Sequence, residues 1–350
     1  ENTLFAAGSC TKPFTCALLG ILKNEGKLDF DQPAGKYLPA LKFYNDEMNK
    51  NIHVRDLMRH STGLPRHDMA WALFKTKSQE ELLSRVQYQE PAWGLRQVWH
   101  YNNVMFLAQV MMIEKISGKP YQQYLKEKIL NPLGISNINF SVDTMAKSRD
   151  FSYGYANDAR DNIQKTDYVN LDVLQAVGGI NTSVSEMAKW VMLWLNKGNY
   201  GGKQILPESY INEGISAQMV VSGGVPSAKN PEIHFQTYGL GWFQSSYRGH
   251  YRVEHGGNIT GFSTLTSFYP TDDLGIVIFA NQNISNNKVI ASVRNLIADR
   301  VLKLPYKDWQ SILYAPVKNA GKQTAASGSS TATQAHGSPA HPLSNYEGIY

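Results

Sequence analysis

Cysteine is nearly absent from this chain. Its 350 residues hold two, Cys10 and Cys16. Six apart on one predicted helix, they fall on different faces with Cα atoms too distant for a disulfide. A disulfide framework is therefore excluded, and cysteine usage says nothing about compartment. Long apolar runs are missing too: the stretch 104–113 falls far short of the roughly 20 residues a membrane-spanning helix needs. Charge is not gathered anywhere. Lys and Arg number 34 against 29 Asp and Glu, a formal +5, and they are scattered, with no arginine-rich arm or aromatic-basic stripe to bind nucleic acid. No Gly-x-Ser-x-Gly is present, which excludes the α/β-hydrolase elbow. No His-Glu-x-x-His accompanies His53, His60 and His67, and no phosphate-binding glycine loop occurs, so neither metal nor cofactor is implied. What remains is globular in character, 42% hydrophobic and 18% charged, and long enough to bury a substantial core in one large or two ordinary domains.

The informative stretch is Gly8-Ser9-Cys10-Thr11-Lys12, running into Pro13-Phe14-Thr15-Cys16-Ala17-Leu18-Leu19. Phe14, Ala17, Leu18, Ile21 and Leu22 recur at helical spacing, so the pattern predicts a helix starting at Ser9 and ending at Gly26. Residues three apart on a helix share a face, which brings the Lys12 ammonium to the Ser9 hydroxyl. A serine alcohol becomes a nucleophile when a neighbouring base takes its proton, and a lysine in a partly dry site does that. A helix start adds free N–H groups and the positive dipole end, both favourable to an oxyanion. Cys10 beside it, without a thiol-protease arrangement of His and Asn, reads as a packed, inert thiol. Ser-x-x-Lys is only two fixed residues, however. It recurs at Ser285-Asn286-Asn287-Lys288, and a serine at a helix start is ordinarily an N-cap.

Further along, the spacing predicts helices over 54–59, 78–88, 103–117, 121–129 and 183–196. Ser78 with Glu81 and Ser183 with Glu186 form capping-box patterns, and Gly118 with Pro120 is a stop signal. Residues 140–176 are rich in loops. After residue 235 the pattern changes to strands over 238–246, 251–254, 262–269 and 275–281, an antiparallel meander covered by an amphipathic helix over 289–302. The fold class is α/β in mixed layers: an antiparallel sheet flanked by helices. Residues 317–342 read as a flexible linker of small and polar residues, and 343–350 as the opening of another β domain.

Two further motifs complement Ser9 and Lys12. Tyr-x-Asn supplies a phenol to shuttle protons and an amide to orient a carbonyl. It occurs at Tyr101, Tyr155, Tyr168 and Tyr210, but only Tyr101-Asn102-Asn103 stands at the mouth of a long buried helix, the support a catalytic pair needs; the others read as surface tyrosines. Glu254-His255-Gly256-Gly257-Asn258 follows a predicted strand. Its glycines allow close backbone approach to a ligand, and the following N–H can enter an oxyanion hole; otherwise His255 is a hydrogen-bonding residue at a strand edge.

Together these motifs resemble the penicillin-recognising serine hydrolases, on the branch of larger serine β-lactamases, DD-peptidases, D-aminopeptidases and related esterases. The resemblance runs in family order from Ser9 to about Leu302. It takes in Gly26-Lys27-Leu28-Asp29, His60-Ser61-Thr62-Gly63-Leu64-Pro65, Tyr101-Asn102-Asn103, Asn131-Pro132-Leu133-Gly134, Gly178-Gly179, Tyr238-Gly239-Leu240-Gly241-Trp242 and His255-Gly256-Gly257, and it sets aside Ser285. It implies a β-lactamase/transpeptidase-like domain over 1–316, with a five-stranded sheet and an all-helical subdomain over roughly 45–180. It assigns Ser9 as the acylated nucleophile, Lys12 as its base, Tyr101 as the proton shuttle and Asn103 as the group holding the substrate amide. His255, Gly256, Gly257 and Asn258 would bind substrate, with the Ser9 and Asn258 N–H groups as the oxyanion hole. It further implies a small-molecule or short-peptide substrate and a periplasmic or secreted location, and it leads to the expectation that a family segment before the nucleophile is missing. His255 stands where β-lactamases and DD-peptidases usually carry lysine. A histidine near its reference pKa is mostly neutral at pH 7, which favours the esterase and peptidase members. The other reading is a catalytically silent binding or sensor module; Lys12 and Tyr101 both being present argues against it.

Overall fold

In a computed structural model, which describes residues 1–67, 76, 78–158, 162–168, 178–226, 232–282 and 288–314, the helix anticipated after Ser9 opens differently from expectation. Gly8–Thr11 form a 3-10 turn, and the α-helix proper, α1, spans Lys12–Asn24. Pro13 in its first turn suits this junction, because a first-turn residue has no intrahelical partner for the N–H that proline lacks. Phe14, Cys16, Ala17, Leu18, Leu19 and Leu22 are all 2% exposed or less. A helix apolar on so many sides is enclosed by the molecule. Gly26, at φ +71°, follows its end as predicted.

Around α1 lie the short helices Asp46–Asn51, α2 (Val54–Met58) and Gln79–Ser84, then α3 (Val104–Ser117), which packs against α1. Gly118, at φ +69°, ends α3 where the sequence placed its stop. Tyr121–Leu125 continues into a π-helical turn, Lys126–Leu130. The span 45–180, expected to be helical, also holds strands at Ile138–Asn139, Tyr155–Asn157 and Ile163–Lys165. They are too short for a period-two pattern to mark.

Two sheets position the nucleophile turn. In the smaller, β1 (Phe5–Ala6) and β2 (Ile138–Asn139) flank β3 (Asn181–Thr182) in the order β1-β3-β2. Among the described residues the larger has six antiparallel strands where the resemblance implied five: β4 (Met219–Gly223), β5 (Phe235–Tyr238), β6 (Phe243–Tyr247), β7 (His250–Ile259), β8 (Phe262–Tyr269) and β9 (Leu274–Ala280), ordered β9-β8-β7-β6-β5-β4. Two strand expectations change. The strand over 238–246 is broken by a turn at 239–242, closed by the Gly239 N–H on the Trp242 carbonyl at 2.8 Å. The strand over 251–254 is ten residues long and takes the His-Gly-Gly-Asn run into its second half.

Alternate residues of a strand face opposite sides. Val253 and Phe268 join α1 and the tryptophans of α4 (Val184–Leu195) in the main core. Tyr247, Tyr269 and Ile276 pack on the other side against Ala298 of α5 (Lys288–Val301) and Trp309. At the start of α4 the Ser183 hydroxyl accepts the Glu186 N–H, as the capping pattern predicts. The Glu186 carboxylate instead accepts the N–H groups of Ser136 and Asn137, tying α4 to the chain before β2.

Both cysteines are free and buried, and burial pushes both thiols up, which fits inert packing. Ser285, the 317–342 linker and the 343–350 segment lie outside the described residues. Among the described residues, no helix is long and apolar enough to cross a membrane, and no cluster of three His, Cys, Asp or Glu side chains is placed to hold a metal.

Candidate active site

The Ser9 turn is tied into its surroundings on several sides. Ahead of it, the Ala7 N–H bonds the Ile180 carbonyl at 2.9 Å. The Thr11 hydroxyl donates to the Gly8 carbonyl at 2.8 Å and accepts the Ile180 N–H. On the sheet side, the Thr264 hydroxyl donates to the Ala7 carbonyl at 2.8 Å, and the Cys10 thiol to the His255 carbonyl at 3.2 Å. Gly8 has φ +52°, and a Cβ there would stand 3.1 Å from the Asn258 nitrogen. This contact brings the Asn258 backbone beside the nucleophile turn, where the sequence placed the oxyanion hole. Gly257 also meets a need inside the protein itself. A Cβ on it would lie 2.0 Å from the Ala7 carbonyl oxygen, so its bareness lets the strand seat against the protein's own turn.

Within this frame Lys12 Nζ donates to Ser9 Oγ at 3.1 Å. The spacing argument survives the change of helix type because side chains three apart nearly eclipse in a 3-10 turn. Lys12 is fully buried, and its ammonium lies 4.8 Å from the Tyr101 ring centroid and 5.2 Å from that of Phe106. Ser9, Tyr101, His255, Gly256 and Asn258 line a cavity of about 630 Å³. Asn103 is buried at the head of α3.

The other Tyr-x-Asn sites lie elsewhere. Tyr155 is in a hairpin strand, and the Tyr168 hydroxyl donates to the Ser152 carbonyl. Tyr210 is 3% exposed and packs against Trp194, a core residue and not the surface tyrosine expected.

His255 is 1% exposed. Its Nδ1 sits 2.8 Å from the Gly256 carbonyl oxygen and its Nε2 3.0 Å from the Tyr238 hydroxyl. A carbonyl only accepts, so Nδ1 carries the proton and Nε2 accepts the Tyr238 O–H. Burial first, then the nearby Lys12 ammonium, pushes this imidazole down to about 3. The ring is neutral with both nitrogens committed inside the protein, so at this position the cavity is offered no cation and no spare ring donor.

α5 also contributes to the cavity lining. Ile290 and Ala291 form its apolar side, and Arg294 donates to both carboxylate oxygens of Glu254 at 3.0 and 2.7 Å. Burial alone would raise the Glu254 carboxyl, but Arg252 and Arg294 hold it below the usual range. Trp99, Phe243 and Leu265 complete an apolar lining, and Arg66 stands by the Tyr101 ring at 4.9 Å. Sequence reasoning singled out none of Trp99, Phe243, Arg66 or Arg294. Each comes from a different loop, strand or helix, and no local spacing links them.

A family model described as Beta-lactamase matches residues 1–298. The chain is 26% identical to Unguisins hydrolase ungD' of Aspergillus campestris, over 100% of this chain and 67% of that protein. It is 25% identical to Penicillin-binding protein 4* of Bacillus subtilis, over 80% and 61% of the two chains. The chain thus spans 61–67% of the lengths of these relatives. Its fold is similar to that of the octameric penicillin-binding protein homologue from Pyrococcus abyssi, with a TM-score of 0.73 and 22% identity, over 87% of this chain and 67% of that one.

Proposed function

The chain belongs to the β-lactamase family, and we propose that it hydrolyses small amide or ester substrates through an acyl-enzyme on Ser9. D-amino-acid peptides, peptidoglycan-type peptides, β-lactams and esters make up the class. The observation that carries this reading is the 3.1 Å contact between Lys12 Nζ and Ser9 Oγ beside the Tyr101 ring. With its amine neutral, Lys12 takes the Ser9 proton as Oγ attacks the carbonyl carbon. The resulting oxyanion is met by the N–H groups of Ser9 and Asn258, donors fixed before reaction begins. Tyr101 delivers a proton to the departing nitrogen or oxygen, leaving the acyl group on Oγ. Water then enters, gives a proton to Tyr101, and releases the acid while Ser9 regains its hydrogen. Asn103 holds the substrate amide. The neutral His255 ring favours substrates that carry no carboxylate beside the scissile bond. Export to the periplasm or the medium is part of the same proposal, and cell fractionation tests it.

The deciding experiment is intact mass after incubation with a fluorophosphonate, a fluorescent penicillin and an activated ester, with the Ser9→Ala protein beside each. One adduct that vanishes in the variant supports the reading, and the reagent that works points to the substrate class. The variant should lose about 1 kcal/mol of stability or less, one hydrogen bond's net worth. Hydrolysis retained by Ser9→Ala would overturn the assignment.

A further inference from the structure

Tyr101 lies on a loop, and loops hold side chains less firmly than helices or strands do. Residues 92–102 are nonetheless fastened to residues 56–65 at Ala92, Trp93, Arg96, His100 and Asn102. The Trp93 N–H bonds the Gly63 carbonyl, the Arg96 N–H the Ser61 carbonyl at 2.9 Å, and the His100 N–H the His60 carbonyl at 2.9 Å. The Arg96 guanidinium adds two bonds to Asp56, at 2.9 and 2.8 Å.

The last tether differs in kind. The Asn102 N–H, one residue beyond Tyr101, donates to Nδ1 of His60 at 3.1 Å. The His60 ring lies against the Tyr101 ring, with centroids 4.3 Å apart and planes 35° apart. Asn102 in turn caps α3, its Oδ1 accepting the Met105 N–H at 3.2 Å, and its amide donates to the Pro65 carbonyl at 2.9 Å.

His60 is 1% exposed and sits at φ +60°. An apolar core residue needs neither a left-handed backbone nor an acceptor aimed at an N–H. Nδ1 accepts only in the neutral ring, and burial with Lys12 close by keeps the ring from protonating.

We propose that His60 is a positioning residue for Tyr101: it fixes the phenol over the Ser9–Lys12 pair by accepting the Asn102 N–H at its Nδ1. This rests on the acyl-enzyme reading above. Two variants separate bond from bulk. His60→Asn keeps an acceptor near the Nδ1 position and tolerates the left-handed backbone. His60→Phe keeps a ring and loses the acceptor. Acylation by an activated ester is followed by stopped flow, with thermal melts alongside. His60→Phe should acylate about 100-fold slower with KM within about threefold, the effect of a small misplacement, and its kcat–pH profile should be displaced. His60→Asn should stay within about threefold of the parent rate with an overlaying profile.

A Phe variant that acylates at the parent rate, or an Asn variant that falls as far as the Phe variant, overturns the proposal. Should the Phe variant fail to fold, the Asn variant decides alone: near-parent acylation supports the clamp, and a large loss defeats it. A parent protein that forms no Ser9 adduct defeats the acyl-enzyme reading, whereas equal adduct rates in parent and Phe variant defeat only the role of His60.

Discussion

Lys12 is a buried amine whose removal should harm chemistry more than stability. Lys12→Met keeps most of the volume and deletes the proposed base. Acylation should slow by about 10²–10⁴-fold, the usual weight of a general base. The melting temperature should hold or rise, since an apolar isostere removes the desolvation cost of a buried amine; stopped-flow acylation and calorimetry check the pair. Tyr101→Phe makes a different point. If the phenol serves the leaving group and then the water, both half-reactions slow, and the Ser9 adduct should persist in time-resolved mass spectra longer than in the parent. An adduct that clears at the parent rate would remove Tyr101 from deacylation.

Among the elements, the seam between β7 and the Ser9 turn matters most. Gly257→Ala puts a Cβ into the Ala7 carbonyl, and overpacking of that sort costs about 1–3 kcal/mol. Because the displaced partner leads directly into Ser9, acylation should fall about 100-fold, out of proportion to the loss in melting temperature. This seam also marks where the sequence was legible. Local spacing sufficed for the contact between Lys12 and Ser9, for the end of α3 at Gly118, and for β8, whose residues 262–269 match the expected strand. Two glycines after His255 read as a break, because nothing local reveals that Ala7 lies against one of them; the strand in fact runs on through Asn258 and Ile259. The turn at 239–242 was announced by Gly239 and by Gly241, the latter at φ +82°, a signal that the strand expectation passed over. The strands β1, β2 and β3 are two residues each, below what any periodicity can register. His60 stood inside a quoted motif, but its partner is 42 residues away, and only the fold joins them.

For the whole molecule, two buried neutral histidines set the response to acid. His255 drops from an ordinary value of 6.5 to about 3, chiefly through burial, and His60 shifts in the same direction for the same reason. Below 6.5 the unfolded chain takes up protons that the folded chain refuses, so stability is complete above that value and drains away toward 3. Each ring contributes a slope of up to about 1.4 kcal/mol per pH unit. Asp56 and Glu254, both held low by arginines, add their own loss once the pH falls through the ordinary carboxyl values of 3.8 and 4.5, inside the lower part of the same window. Urea melts at several pH values between about 4 and 7 should show the slope, and His255→Gln should flatten it by about one ring's share. The ties around Ser9 also have a meaning in time. Ala7 is bonded to Thr264 across 257 residues of sequence, and Cys10 to His255 across 245. The serine is synthesised long before the strand that completes its site, and closing loops of such length belongs to the slow part of folding. In a refolding reaction, recovery of Ser9 acylation should lag behind recovery of helical signal, making the enzyme's own chemistry a clock for the last step of its assembly.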